Sequence, residues 1–184
     1  SIYNILHLID NPFMKWIKTN LPIGTRLGYD SRLHRINWVT AAKKSLGEKI
    51  TIKAIINNPI DLFWKDRPNP VSDKALLLDK KYTGKSSEQK REELSSLIRK
   101  NKCDAAFLTQ LDSIAWLLNI RGKDVPCNPV LLCHGLFYAD GSFDLFINEN
   151  KIPDRFHDHV GPNVTIYSPL QIQDRLLQLK GKTI

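Results

Sequence analysis

Residues 116–130 read WLLNIRGKDVPCNPV, and the interpretation of the whole chain begins with this stretch. An apolar helical segment runs directly into Arg121, a glycine, a lysine and Asp124, and two prolines follow. Because proline restricts the backbone, a loop of this composition is stiff, and a stiff charged loop holds a fixed shape for contact. The alternative is internal: Arg121 and Asp124 pair with each other or cap backbone groups while the loop only turns the chain. The residue types alone leave both interpretations open.

A second loop of similar character lies upstream, where residues 58–68 read NPIDLFWKDRP. It combines aromatic side chains with a neighbouring aspartate–arginine pair, and it belongs to an irregular region that extends from residue 57 to about residue 84. Long irregular loops inside compact domains are usually functional or interfacial. For both loops a contact with another surface and a purely internal role stay open at this point; the interdomain or substrate-side contact is what the family resemblance given below implies. The candidate contact residues are Trp64, Asp66, Arg67, Arg121, Asp124 and Asn128.

Regular elements surround these loops. Apolar residues at helical spacing over residues 33–46 predict a helix, and alternating apolar residues over 50–56 predict a strand. Ser86 and Gln89 form a capping-box pattern for a second helix, and residues 130–147 predict a hairpin through an Asp-Gly turn. Since helices and strands alternate around a hairpin, the predicted fold class is α/β, with a mixed β-sheet flanked by helices. The sequence Leu-Pro-Ile-Gly at residues 21–24 breaks regular structure and predicts a domain boundary. Residues 1–24 are then a tail and linker, and residues 25–184 form one domain.

The amino-acid composition and the net charge argue against several classes of function. The chain has 184 residues, of which 42% are hydrophobic and 25% charged, as in soluble domains. No stretch reaches the roughly 20 apolar residues that span a bilayer, so no membrane partner is expected. The net charge of +8 admits nucleic acid, but glutamates dilute the basic cluster and no aromatic residues interleave with it, so no nucleic-acid partner is expected either. The three cysteines are interpreted as reduced thiols that fill the core of a cytoplasmic protein.

No catalytic residue or metal ligand is predicted within the chain. His157 and His159, with aspartates nearby, come closest to a metal cluster, but on a helix their rings would point about 200° apart. Cys133 and His134 are adjacent in a predicted strand, so they face opposite sides and cannot form a dyad. Neither a nucleophile elbow nor a phosphate-binding loop occurs.

Both loops resemble segments of the Xaa-Pro aminopeptidase (aminopeptidase P) family in its three-domain form. Residues 116–130 are similar to the middle-domain signature, except that Cys127 stands where the family usually has an aromatic residue. Residues 58–68 resemble a second family segment, and shorter likenesses occur at Gly28-Tyr29-Asp30 and around Gly84. The resemblance implies a creatinase/prolidase N-terminal-like fold for residues 25–184, with residues 1–24 as the end of the preceding domain.

The same resemblance implies a function for a longer parent protein. The family consists of hydrolases, metallopeptidases of the peptidase M24 family, that release an N-terminal residue preceding proline. Two divalent metal ions, expected to be manganese, sit in a C-terminal catalytic domain whose ligands have no counterpart here. The fragment is therefore expected to be inactive alone, to brace that catalytic domain within a cytoplasmic homodimer, and to shape its substrate side or subunit contact. The alternative is a stand-alone module that reuses the fold to bind a peptide or a protein.

Overall fold

Helix α1 (Phe13–Asn20), which precedes the predicted domain boundary, shares its core with the elements that follow it. Its buried Ile17 clusters with Ala42, Leu46 and Ile50. The structure, a computed structural model, describes residues 2–70 and 72–184, and it divides into two compact units, Ser1–Pro68 and Asn69–Ile184. This division lies later than the boundary predicted near residue 24, because α1 packs on the segment after it. The domain assignment of residues 1–24 and 25–184 stays a prediction.

The first unit is built on a parallel pair of strands. β1 (Thr25–Asp30) and β2 (Ile50–Ile55) run side by side, and α2 (Ile36–Leu46) connects them. The predicted helix and strand are confirmed, although the helix begins only at Ile36, and Leu33 in the turn before it is 71% exposed. A short helix, α3 (Pro59–Phe63), follows.

The second unit carries the predicted mixed sheet. Its strand order is β4-β6-β7-β8; the first two pairings are antiparallel and the last is parallel. A separate antiparallel pair joins β3 to β5. This arrangement confirms the α/β fold class with flanking helices. The strands are β3 (Leu76–Leu77), β4 (Ala105–Leu108), β5 (Ile120–Arg121), β6 (His134–Tyr138), β7 (Phe143–Phe146) and β8 (Val164–Tyr167). The helices are α4 (Lys80–Thr83), α5 (Ser87–Lys100), α6 (Leu111–Leu118), α7 (Phe156–Val160) and α8 (Ile172–Leu177).

Helix α5 buries two charged residues, whereas one of its leucines is exposed. The predicted capping box between Ser86 and Gln89 is present, but Lys90 and Arg91 are each only 3% exposed, whereas Leu97 is 51% exposed. The guanidinium of Arg91 donates hydrogen bonds to the carbonyls of residues 141, 160 and 162 at 2.7–2.9 Å. These bonds compensate the cost of its burial, and they tie α5 to two loops. Two basic side chains of this helix, Lys90 and Arg91, therefore lie inside the second unit and not on its surface.

The prediction that all three cysteines fill the core is wrong for one of them. Cys133 is buried and Cys103 is half-buried, but Cys127 is exposed because it lies at the tip of a turn. Burial raises the pKa of the Cys133 thiol to about 12, and the nearby Asp124 carboxylate adds to that rise. Within residues 2–70 and 72–184, no helix combines the length and apolar character needed to cross a membrane.

Candidate functional site

Arg121 stabilises the end of the helix that precedes the signature loop, residues 121–130. Helix α6 ends at Leu118, and the next residue, Asn119, adopts a left-handed conformation with φ of 54°. The Nη1 group of Arg121 donates to the carbonyl of Ala115 at 3.0 Å and to that of Ile120 at 2.8 Å. The Ala115 carbonyl already accepts the backbone N–H of Asn119, so the guanidinium is a second donor to it at the C-terminal end of α6. This arrangement matches the internal interpretation of Arg121.

Asp124 anchors the base of the signature loop through a buried ion pair. One carboxylate oxygen, Oδ2, accepts the backbone N–H of Leu132 at 2.6 Å and the ammonium of Lys151 at 2.5 Å. The two charged side chains are 0% and 5% exposed. Asp124 therefore pairs with Lys151, and the sequence-based alternative of a pair with Arg121 is not the one formed. No short-range pattern marks Lys151, which belongs to a short 3₁₀ helix at Glu149–Lys151.

Gly122 allows the two sides of the loop to approach closely. Its N–H donates to the carbonyl of Pro129 at 3.2 Å, and Asp124 N–H donates to that of Val130 at 3.3 Å. A Cβ atom at position 122 would lie 2.4 Å from the side chain of Leu131 and 2.9 Å from a backbone oxygen. The glycine in the Arg-Gly-x-Asp pattern is thus required by packing at the base of the loop.

The tip of the loop, residues 126–129, is exposed and held in a tight turn. Asn128 N–H donates to the carbonyl of Val125 at 3.1 Å, with Pro126 and Cys127 between them. Cys127 has φ of 61°, so the turn places a proline before a left-handed residue, the order that type II turns favour. Asn128 is the one of the three candidate residues in this loop that lies on the exposed tip. The loop therefore combines a buried, ion-paired base with a stiff exposed tip.

The other three candidates lie in the first unit, on the segment that follows β2. Asp61 accepts a hydrogen bond from the Nη1 group of Arg67 at 2.8 Å, and that guanidinium lies 5.5 Å from the ring centroid of Trp64. Asn58 caps α3 by accepting the N–H of Ile60 at 3.0 Å. Trp64 is 47% exposed, and Asp66 is exposed. This segment is thus internally cross-linked while its aromatic and acidic groups remain on the surface.

Sequence reasoning missed the residue that organises this segment, Arg32. It donates bidentate hydrogen bonds to the buried Asp30 at 2.8 and 3.1 Å and another to Asp61 at 3.2 Å. The hydrogen bonds from Arg32 hold the pKa of the Asp30 carboxyl well below its usual range. An Asp-x-Arg pattern directly after a strand was the available signal, but the contact to Asp61 required the tertiary structure.

The histidines do not form a metal site with their neighbours. His157 and His159 lie on α7, and the Nε2 atom of His159 is 3.0 Å from the carbonyl oxygen of Asn119. Over the described ranges, 2–70 and 72–184, no group of three or more His, Cys, Asp or Glu side chains could hold a metal ion. The described residues therefore do not fit the pair of divalent ions that the family resemblance implies, and no metal chemistry is assigned to them.

Comparison with known proteins identifies the family. Residues 66–184 match the model of the creatinase/prolidase N-terminal domain. The chain belongs to this family. Xaa-Pro aminopeptidase app-1 of Caenorhabditis elegans is 34% identical over 154 residues, which is 83% of this chain and 25% of that protein. A probable Xaa-Pro aminopeptidase P of Pyrenophora teres f. teres is 38% identical over 125 residues, 67% of this chain and 18% of that protein.

A solved structure shares the fold. The crystal structure of X-prolyl aminopeptidase from Caenorhabditis elegans, described as a cytosolic enzyme with a di-nuclear active site, superimposes with a TM-score of 0.80 at 29% identity. The match covers 92% of this chain and 28% of that one. The chain thus spans about a quarter of the length of the proteins it resembles. It resembles an N-terminal or middle region of Xaa-Pro aminopeptidases, and the prediction of that resemblance is confirmed.

Proposed function

We propose that the chain is a non-catalytic region of a Xaa-Pro aminopeptidase, a metallopeptidase that releases the N-terminal residue preceding proline. In this proposal a longer polypeptide carries a C-terminal catalytic domain with two divalent metal ions, manganese by expectation, and works as a cytoplasmic homodimer. The observation that carries the proposal is the signature loop, whose buried Asp124–Lys151 base supports an exposed and rigid tip. A contact surface gains affinity when its shape is fixed beforehand, because less conformational entropy is lost on binding.

In this proposal the residues of the signature loop have different roles. Arg121 Nη1 donates to two carbonyls of the second unit, and Asp124 Oδ2 accepts the Leu132 N–H there. In this proposal both residues therefore position the loop, and the tip makes the contact. We therefore assign the contact with the catalytic domain, its substrate side or the second subunit to Asn128 and its neighbours on the tip. In the first unit, Trp64 and Asp66 are the exposed groups that suit such a contact, while Arg67 pairs with Asp61 and lies against the Trp64 ring.

The catalytic part of the proposal is tested by assaying two proteins on a short Xaa-Pro peptide. Residues 1–184 alone and the longer polypeptide are each supplied with excess manganese, and bound metal is measured alongside turnover. We expect turnover and about two bound ions per chain only in the longer polypeptide. Turnover by residues 1–184 with stoichiometric metal would place a site in this chain and overturn the proposal.

The contact part is tested in the longer polypeptide with two matched substitutions. Asn128→Ala removes a side chain at the tip, and Asn150→Ala removes an exposed asparagine elsewhere in the second unit. A side chain at the edge of an interface contributes about 1 kcal/mol, so Asn128→Ala should change KM or the dimer dissociation constant by about fivefold. Asn150→Ala should change neither. Equal, negligible effects of both substitutions would contradict the assignment of the tip as a contact.

The alternative of a stand-alone binding module has one observation in its favour, an apolar groove in the second unit that could accept a peptide. Under that alternative, residues 1–184 would bind a peptide or protein saturably without any catalytic domain. Binding of that kind, together with an absence of Xaa-Pro turnover in the longer polypeptide, would replace the proposed function.

A further inference from the structure

The last two strands of the mixed sheet, β7 and β8, run parallel, and the chain leaves them on opposite faces of the sheet. The connection after β7 contains α7, whose Phe156 belongs to the same buried cluster as Leu145. The connection after β8 contains α8, whose Leu176 packs against the cluster that includes Phe146. Because Leu145 and Phe146 are successive residues of β7, their side chains point to opposite faces, and so the two helices lie on opposite faces as well.

The two connections also run in opposite directions along the sheet. α7 leads outward from β7 to β8, whereas α8 leads back, since Leu179 just beyond it packs against the cluster that contains Ala105 of β4. Parallel strands whose connections part in this way form a topological switch point. Open α/β sheets bind ligands in the crevice at the carboxyl ends of such strands. The topology therefore favours a ligand between the ends of β7 and β8.

A crevice opens at this position. Its volume of about 660 Å³ lies within the range of small-molecule sites. Ile147 and Glu149 line it from the connection after β7, and Ile166 and Leu170 line it from the end of β8 and the residues beyond. Ile147 is fully buried, so that wall is fixed by the core, whereas Leu170 is 90% exposed at the mouth. We call this feature the β7–β8 crevice.

The backbone donors that hold phosphate in many crevices of this kind are already in use here. A 3₁₀ helix, Pro169–Gln171, follows β8, and the N–H of Leu170 within it donates to Ser168 Oγ at 3.4 Å. Ser168 N–H donates to Gln171 Oε1 at 3.0 Å. The side chain of Asn148 caps the 3₁₀ helix after β7 in the same way. An anion would have to displace these bonds, so the crevice is not built for phosphate.

The charge at the crevice is negative. Across the described residues, the carboxylate of Glu149 takes part in no hydrogen bond or ion pair. No lysine, arginine or histidine of the described chain lines the crevice. The basic groups nearby, Lys151 and Arg175, are paired with Asp124 and Asp144. An unpaired carboxylate beside aliphatic side chains complements a ligand that carries an ammonium group next to an aliphatic group.

We propose that the β7–β8 crevice binds an aliphatic amine, with the ammonium group at Glu149 and the aliphatic group against Ile166 and Leu170. A free amine and the amino terminus of a peptide that begins with an aliphatic residue share this chemistry. The inference goes beyond the proposed function and does not depend on it, because the crevice is formed by the second unit alone.

The test follows the methyl groups of Ile147 and Ile166 by NMR in the longer polypeptide, with isoleucine methyls labelled with carbon-13. Ile147→Val and Ile166→Val assign the two signals. Leucinamide, an aliphatic amine without a carboxylate, should shift both signals saturably. Acetyl-leucinamide, which has no charged amino group, should bind about threefold more weakly or worse, since it lacks the one exposed ion pair.

A matched pair of substitutions tests the role of the carboxylate. Glu149→Gln should weaken leucinamide binding about threefold, the effect of one exposed ion pair. Glu92→Gln, which changes an exposed glutamate on α5, should leave the dissociation constant unchanged. Isopentylamine and leucyl-glycinamide are titrated in the same way, and the tighter of the two shows whether the natural ligand is a free amine or a peptide amino terminus.

Two kinds of result would overturn the inference. If neither methyl signal shifts saturably up to about 50 mM leucinamide, the crevice takes no amine, since a ligand of this size in a formed site should bind below that concentration. Equal dissociation constants for leucinamide and acetyl-leucinamide, or equal effects of Glu149→Gln and Glu92→Gln, would exclude recognition of the ammonium by Glu149. Because the two methyl signals report on the crevice and not on hydrolysis, the inference can fail while Xaa-Pro turnover is present, and turnover can be absent while it holds.

Discussion

Replacing Lys151 with methionine should destabilise the second unit strongly, because it leaves a buried charge without a partner. The side chain of Asp124 is 0% exposed, and without Lys151 the only hydrogen-bond donor left to its Oδ2 atom is the Leu132 N–H. Breaking a buried ion pair by removing one member costs about 3–5 kcal/mol. At a urea dependence of about 2 kcal/mol per molar, the unfolding midpoint should fall by about 2 M.

The double variant Asp124→Asn, Lys151→Met separates charge burial from packing. Asparagine retains an oxygen that can accept the Leu132 N–H, while both charges are gone. We therefore expect the double variant to recover at least half of the stability that Lys151→Met loses, a coupling of about 2 kcal/mol between the two positions. Asn150→Ala, at an exposed neighbouring position, serves as the control and should change the midpoint negligibly.

The assay follows the thiol of Cys133, which is 3% exposed and becomes reactive only when its surroundings open. Urea titrations with a disulfide reagent are performed in the background Cys103→Ser, Cys127→Ser, so that Cys133 reports on the second unit. A loss below about 1 kcal/mol for Lys151→Met, or additive losses in the double variant, would refute the role of the buried pair in holding the loop.

Two further predictions concern the same unit. Gly122→Ala would place a Cβ atom 2.4 Å from Leu131, so the free energy of unfolding should fall by about 1–3 kcal/mol. The same substitution should cost less in a Leu131→Ala background than in the native one, because the clashing side chain is then absent. An unchanged urea midpoint for Gly122→Ala in the native background would contradict the close approach. Burial, together with the hydrogen bond to Asp144, raises the pKa of Tyr138 to about 12. The native state holds the Tyr138 proton more tightly than the unfolded chain does. The resulting contribution to the free energy of unfolding is therefore complete below about pH 10 and falls as the pH approaches 12. Urea unfolding of the native protein and of Tyr138→Phe is compared at pH 9 and 11.5. The free energy of unfolding should fall less between these pH values in Tyr138→Phe, and an equal fall in the two proteins would count against this role of Tyr138.

The elements that depend on local sequence were predictable. The capping box of Ser86 and Gln89 involves residues three apart, and it formed as expected because such bonds need only the helix itself. The hairpin between β6 and β7 formed around Gly141, whose φ of 88° suits glycine in a tight turn. The turn at the tip of the signature loop is local as well, because it places Pro126 before the left-handed Cys127. Local preferences of this kind operate before any distant part of the chain is in place.

By itself, the sequence determined the α/β class, the family resemblance and the two loops that carry it. Only the tertiary structure decided which side chains are buried and which partners they bind, because those partners lie far apart in the chain. Asp124 selects Lys151, 27 residues away, and Arg91 binds carbonyls as many as 71 residues away. Cys127 is exposed even though cysteine favours the core, because it lies on the tip that this buried pair supports. Burial and long-range pairing arise from the arrangement of the whole unit, and no short pattern of residues encodes them.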